Sequence, residues 1–479
     1  MMPFLLAHLS AYLKQVGHQV QVLDAFGESP WQFSDFGKMQ IQGLSIDELV
    51  RRVETETQVC FVYFGGIVAY EGVVAIAASL KKRLPGVTCV LVENAQAVTA
   101  SSVRHSARQL LDAGFDVLLY GDTEHSAAKL LEHLEQGRSF PALDGFVFYR
   151  NNQSLFQGAG IPINHDLDAL PFPDWESFPL GKYWSLGYAH GPMEGPYLPL
   201  LTSRGCPVQC RFCTIPATND RRWRARSARN VVDEMSFFQE RLGVTEFHLE
   251  DVNPTVSDKR IVELCDEIVR RHLKVRWKIA AGTKIETLKL DTIPLMAKAG
   301  CTFIGFAPET GSPELLKKMN KPFNHALALE MVRSMRAHGI VSQAVFVVGF
   351  PGETKSDVAL TARYIRQLTL AGVDEIAQYI ITPIPGSFIF DQFSGYEHFS
   401  ELTFSPTWRR DYRALDRRRK AHYLLFLFWK TVRYPHRVVQ NMWNVFRGKF
   451  NTKMEQAFYR VTIWRLAKWF RRKGAPCPP

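Results

Sequence analysis

Residues 203–216 read SRGCPVQCRFCTIP and set Cys206, Cys210 and Cys213 in a C-x3-C-x2-C array. Three thiolates at this spacing, in a loop that follows a strand, can converge on three irons of a cubane cluster. A structural zinc or an ordinary iron–sulfur site would want a fourth protein ligand. No fourth Cys or His lies nearby in sequence. An iron left open in this way is a place for a substrate or cofactor to bind. The other five cysteines are scattered singly, and eight in a long intracellular chain do not suggest disulfides. Cys60, Cys89, Cys265 and Cys301 read as small buried hydrophobes, and Cys477, in a Pro-rich end, as exposed.

Around the array runs a series of alternating strand and helix patterns. Strands are predicted at 197–203, 246–251, 276–281, 303–309, 342–350 and 375–383. Helices fall between them at 228–242, 259–272, 291–299, 325–338 and 355–370. Six such units over residues 196–390 fit a partial (β/α)6 parallel barrel, with ligand chemistry at the C-terminal ends of its strands. Residues 1–150 form an earlier alternating series, with strands at 18–25, 57–65, 88–92 and 115–120, as in a doubly wound parallel sheet. Residues 151–195 form a linker holding DLDALPFPDWESFPL, and 391–479 a helical tail. The fold class is therefore α/β.

The 479 residues are 46% hydrophobic and 22% charged, which excludes disorder and a disulfide-stapled miniprotein. The longest apolar run, residues 423–429, is far below the ~18 residues of a membrane span. No basic leader opens the chain, so a cytoplasmic location is expected. The net charge of +11 is uneven: residues 401–479 hold 19 Lys/Arg against 4 Asp/Glu, and five of the ten tryptophans. On a helical wheel of 458–472 the residues Phe458, Tyr459, Ile463, Leu466, Trp469 and Phe470 share one arc, with arginines and lysines opposite. A basic amphipathic helix of this kind suits an anionic membrane surface. The stretch 420–473 thus makes the chain a candidate peripheral protein of the inner membrane face. Nucleic-acid binding would rest on charge alone.

The cysteine segment, with Phe212 before the third cysteine, resembles the signature of radical S-adenosylmethionine (SAM) enzymes. The resemblance implies a [4Fe–4S] cluster whose open iron chelates SAM, reductive cleavage to a 5′-deoxyadenosyl radical, and an electron donor such as flavodoxin or ferredoxin. It extends over 196–390. FHLEDVNPT offers Glu250 and Asp251 for the SAM amino group, and FIGFAPETGS offers Glu309 and Ser312 for its ribose and methionine parts. VVGFPGET offers the Gly349 backbone beside the adenine, TPIPGS closes the barrel, and Lys284 stands where relatives often carry Arg.

PDWESFPL resembles the linker of a subclass that precedes the barrel with a cobalamin (B12)-binding doubly wound domain. The opening helix and FDVLLYGDTEHSAAKLLEHL resemble parts of that domain, with Gly121 and Asp122 at its cofactor turn. Cofactors sit above strand C-termini at the switch point of such sheets. The chain starts inside the first helix, so the domain's first strand is expected to be missing or the sheet rearranged. The Gly-Gly after the fourth strand is replaced by Glu93, Asn94 and Ala95, a loop expected to crowd a corrin ring. No D-x-H-x-x-G motif marks a cobalt ligand, and His8, His18, His105 and His125 read as ordinary surface or core residues.

The reading is a radical SAM enzyme that modifies an unactivated carbon, with cobalamin-dependent methylation of a hydrophobic small molecule, lipid or porphyrin-like, placed first. Radical cyclisation or ring rearrangement is the alternative. A partner subunit or iron–sulfur electron carrier without its own catalysis is a further one. Methylthio transfer to tRNA would need a second three-cysteine cluster, for which Cys60 and Cys89 are too few. Tyr379 and Cys301 read as core residues rather than hydrogen donors.

Overall fold

The computed structural model describes residues 2–472, apart from 38, 99, 101, 151–153 and 188, with side chains as far as Thr462. Near the N-terminus, β1 (Phe33–Phe36) and β2 (Met39–Gln42) pair as a small antiparallel hairpin that the sequence pattern does not announce. The first sheet orders its strands β3 (Val59–Phe64), β4 (Thr88–Glu93), β5 (Val117–Leu119), β6 (Phe146–Arg150) and β7 (Ser154–Gln157). The pairs β3–β4 and β4–β5 are parallel, whereas β6 and β7 add an antiparallel hairpin at one edge.

The strand predicted at 18–25 does not form. Its residues alternate between partly buried and exposed, but no ladder pairs them. Period-two alternation reports burial on one side and cannot by itself supply a hydrogen-bonding neighbour. Val20 and Val22 pack against the hydrophobic clusters regardless. The opening helix, Phe4–Gln15, is where predicted and faces both units: Phe4, Leu5 and Ala7 join the second unit's core, Leu9 and Leu13 the first sheet's. The linker clasps this helix, with Ser10 Oγ donating to Asp174 at 2.6 Å and Lys14 paired to it at 2.7 Å.

The second sheet begins with β8 (Tyr197–Leu200). Two short strands, β9 (Ser203–Arg204) and β10 (Arg224–Ala225), then form an antiparallel clasp around the cysteine loop. The parallel series continues through β11 (Glu246–Leu249), β12 (Arg276–Thr283), β13 (Cys301–Glu309), β14 (Val341–Val348) and β15 (Glu375–Ile380). The order β8-β11-β12-β13-β14-β15, all parallel, is the predicted six-stranded open barrel. Trp277, Ile279, Ile304, Phe306, Ala344, Phe346 and Ile376 meet the outer helices in one large core. Side chains alternate across a strand, so Glu246, His248, Lys278 and Glu375 point inward.

The helices begin where the sequence supplies caps. Ser227, Ser257, Asn324 and Thr354 each accept a backbone N–H with their side chains, at the heads of Ala228–Leu242, Asp258–Arg270, His325–Ala337 and Lys355–Ala371. The tail forms three helices, Tyr412–Arg433, Pro435–Arg447 and Lys453–Arg472. Among the described residues no helix is long and apolar enough to cross a membrane.

Candidate active site

The cysteine loop leaves the C-terminal end of β8 through Gly205, whose φ is +77° and whose added Cβ would lie 2.1 Å from Arg222 O. Only glycine fits that approach. The loop is tied down on several sides. Gly205 N donates to Gln96 Oε1 at 2.8 Å, Arg211 N to Met319 O at 3.0 Å, and Asn320 Nδ2 to Gln209 O at 3.0 Å. Phe212 packs against Leu315, Met319, Phe350 and Ile389. Cys206 and Cys210 are partly exposed and Cys213 is buried.

The three thiols are electrostatic neighbours. Burial pushes Cys210 up to about 11, and Cys213 is raised by burial and then by the other two cysteines. Asn253 Nδ2 reaches Cys206 Sγ at 3.7 Å. Among the described residues no three His, Cys, Asp or Glu side chains close on a single point as a mononuclear ion would require. A cubane asks for something different, one thiolate at each of three iron corners. The three-cysteine loop at the barrel mouth fits that demand.

The remaining candidate residues divide. Glu250 ends β11 on the interior face, its Oε2 2.7 Å from His190 Nδ1. Burial works to raise this carboxyl, but His190 holds it below the ordinary value. Asp251 is turned into the protein, where it accepts from Thr202 N at 3.0 Å, Thr202 Oγ1 at 2.7 Å and Ser203 Oγ at 2.5 Å. It is a brace between β8 and β11, not a free ligand.

Glu309 ends β13 in the left-handed region, at φ +61°, beside a register shift in the β13–β14 ladder. Its carboxylate is ion-paired with Lys321. Burial disfavours the Lys321 ammonium, yet Glu309 more than offsets it and raises the group above the ordinary lysine value. Sequence reading missed Lys321, because nothing in its local pattern distinguishes it from a surface lysine. Lys284 turns instead to Glu286 and Pro322 O, each at 2.5 Å. Ser312 caps the helix Pro313–Met319 and donates to Asp357. Gly349 has φ +80°, and a Cβ there would meet Leu415 at 2.6 Å, so the tail packs directly on this backbone.

Inside the barrel, Glu246, His248 and Lys278 form a charged floor, with His248 Nε2 2.7 Å and Lys278 Nζ 2.5 Å from Glu246 Oε1. Lys453, from the tail, enters the same interior and donates to Ala280 O at 2.6 Å over the Phe303 ring. Gly282, later on β12, is exposed, and an added Cβ there would meet Ala307 at 3.1 Å and Val345 at 3.6 Å. Tyr379, expected in the core, keeps 38% of its surface exposed beside Phe404. It lies near the C-terminal end of β15, on the same strand face as Glu375, which is fully buried. Cys301 is buried, as expected.

Gly121 and Asp122, expected at a cofactor turn, are both engaged by other segments of the chain. An added Cβ on Gly121 would lie 2.7 Å from Pro162 O. Asp122 pairs with Arg204 at 3.0 Å and Arg224 at 2.6 Å, while Arg204 also grips Glu124 at 2.6 Å. Both residues are engaged in the seam between the sheets. The loop after β4 is equally occupied. Glu93 accepts from Val103 N and Gly121 N, and Gln96 Nε2 donates to Asn219 at 2.8 Å. Asn94 and Ala95 are buried beside them, as the bulk of that loop leads one to expect. At the end of β3, by contrast, Gly65 is partly and Val68 largely open.

An open parallel barrel with an incompletely ligated three-cysteine loop at its mouth, joined to a doubly wound sheet, defines a class of proteins that bind a cluster and leave one iron free. Residues 200–365 match the radical SAM superfamily. The chain thus contains a segment that matches this superfamily, running from the last residue of β8 into the helix Lys355–Ala371. It is 26% identical over 302 residues to an uncharacterized methyltransferase of Pyrococcus horikoshii, a match spanning 63% of this chain and 62% of that protein. It is 26% identical over 425 residues to cytidylyl-2-hydroxyethylphosphonate methyltransferase of Streptomyces wedmorensis, spanning 80% and 76%. The chain therefore spans less than two thirds of the Pyrococcus protein's length. The fold is that of the radical SAM methyltransferase TsrM from Kitasatospora setae, solved with cobalamin and a [4Fe–4S] cluster bound. The TM-score is 0.62 at 17% identity, over 81% of this chain and 71% of that one.

Proposed function

We propose that this protein is a radical SAM methyltransferase that uses cobalamin to methylate an unactivated carbon of an apolar small molecule, lipid or porphyrin-like. The observation that carries the radical SAM reading is the fixed loop presenting Cys206, Cys210 and Cys213 at the C-terminal end of the barrel strands. Methylation is supported by the names of both relatives and by the fold shared with TsrM. When bound, the cluster supplies the electron that cleaves SAM, and SAM the radical.

The chain's own residues do the rest. The three cysteines hold the cluster. Glu250, with His190 at its back, would take the SAM amino group. Lys321 holds Glu309 in position next to Cys210. Gly349, expected beside the adenine, instead spends its backbone within the protein, its N–H donating to Glu353 at 3.0 Å and its carbonyl accepting from Arg409 at 3.3 Å. A reduced flavodoxin or ferredoxin would supply the electron at a cytoplasmic site, with an apolar substrate met at a membrane surface.

The test is anaerobic reconstitution with iron, sulfide and hydroxocobalamin, followed by iron counting, a visible spectrum and a 5′-deoxyadenosine assay with SAM and a reductant. The expected result is about four irons per chain, with retained corrin absorbance and deoxyadenosine formed. Replacing the three cysteines by Ala should abolish both iron and deoxyadenosine. A cluster that survives that replacement overturns the reading. Deoxyadenosine without retained corrin keeps the radical enzyme and removes cobalamin.

A further inference from the structure

The helix Pro435–Arg447 is amphipathic in the inverted sense. At about 100° per residue, Arg437, Asn441 and Asn444 share one side, and that side faces the protein. Arg437 pairs with Asp374 at 2.8 Å, Asn444 Nδ2 donates to Glu455 at 3.1 Å, and Asn441 donates to the same carboxylate. The opposite side carries Val439, Met442, Trp443 and Phe446, which are 66%, 70%, 56% and 82% exposed. The preceding helix buries a mixed side, Leu415, His422, Phe426 and Lys430, and likewise turns Leu424, Phe428 and Val432 outward. Isolated exposed apolar residues need no explanation, but a row of large ones with the polar side turned inward does.

The charge pattern identifies what covers it. From residue 417 to residue 454 the sequence contains ten Lys/Arg and no Asp or Glu. Arg433, Arg447 and Lys449 stand exposed around the apolar row. A second copy would bring two such carboxylate-free basic surfaces together. An anionic lipid surface satisfies both properties at once, with acyl chains for the aromatic residues and headgroups for the cations.

We propose that helix Pro435–Arg447 is the membrane-docking element of this protein, inserting Val439, Met442, Trp443 and Phe446 into the interface of an anionic bilayer. The inference does not depend on the reaction proposed above. The sequence stripe at 458–472 is not what carries it, since Ile463, Leu466, Trp469 and Phe470 lie outside the described side chains.

Flotation of the full-length protein with phosphatidylcholine vesicles, with and without phosphatidylglycerol, tests it without any cluster or substrate. The expected result is co-flotation with the anionic vesicles that weakens as salt is raised. The M442E/F446E variant should lose roughly tenfold or more of the bound fraction, with melting temperature unchanged because both side chains point outward. Wild type that fails to float, or a variant that floats equally well, overturns the proposal. A dimer in sedimentation that M442E/F446E dissolves also overturns it, assigning the face to self-association.

Discussion

Arg204 stands two residues ahead of the first cluster cysteine and is buried, with its guanidinium between Asp122 and Glu124. A planar fork meeting two carboxylates suits Arg and not Lys. Arg204→Met leaves those carboxylates without their main cation, and a broken buried pair costs about 3–5 kcal/mol. Denaturant titration should show that loss, and Arg204→Lys should recover little of it. Gly121 makes a second test. At φ +75°, with Pro162 O 2.7 Å from an added Cβ, Gly121→Ala should cost about 1–3 kcal/mol. A variant as stable as wild type would mean that the seam yields there.

At the scale of elements, β4 and β15 each bury a carboxyl. Burial pushes Glu93 and Glu375 up to about 7, against the backbone N–H groups that each accepts. For Glu375 these come from the tail, through Met454 N at 2.6 Å, with Lys453 and Lys430 facing the same group. A raised folded-state pKa gives stability that is full below the unfolded value near 4.5 and lost as pH rises through about 7. From about 4.5 to 7 the unfolded chain releases the proton first, and the loss for one such group approaches about 3 kcal/mol. Melting temperatures from pH 5 to 8 should therefore fall more steeply in wild type than in Glu375→Gln. Parallel curves would show that this carboxyl is ionised in the fold.

For the whole molecule the decisive contact is between the two sheets. The Arg204 and Arg224 ion pairs with Asp122 and Glu124, the bonds from Gln96 to Gly205 and Asn219, and the helix Phe4–Gln15 shared by both cores join them. Calorimetry of the wild type should give one cooperative transition. Arg204→Met should separate it into two, the first sheet melting earlier. A single transition retained in that variant would place the coupling in the apolar contacts of the first helix instead.

The sequence by itself determined the barrel and the cluster ligands. Six β/α periods, their Ser, Asn and Thr caps, and cysteines at fixed spacing are local signals, and local physics acts on them before any long-range packing. It did not determine which acids remain free. Glu250 and Asp251 are adjacent, yet one faces the interior and the other braces β8, because strand alternation sends neighbours to opposite sides. Gly121 and Asp122 have the form of a cofactor turn and became a seam, since Arg204, about 80 residues away, brings the compensating charge. The strand expected at 18–25 had the right pattern and no partner. Lys321, His190 and Lys453 reached the site from separate segments. The helix Pro435–Arg447 shows the same limit most plainly: its amphipathicity is written in the sequence, but only the contacts of Arg437, Asn441 and Asn444 decide that the apolar side faces out.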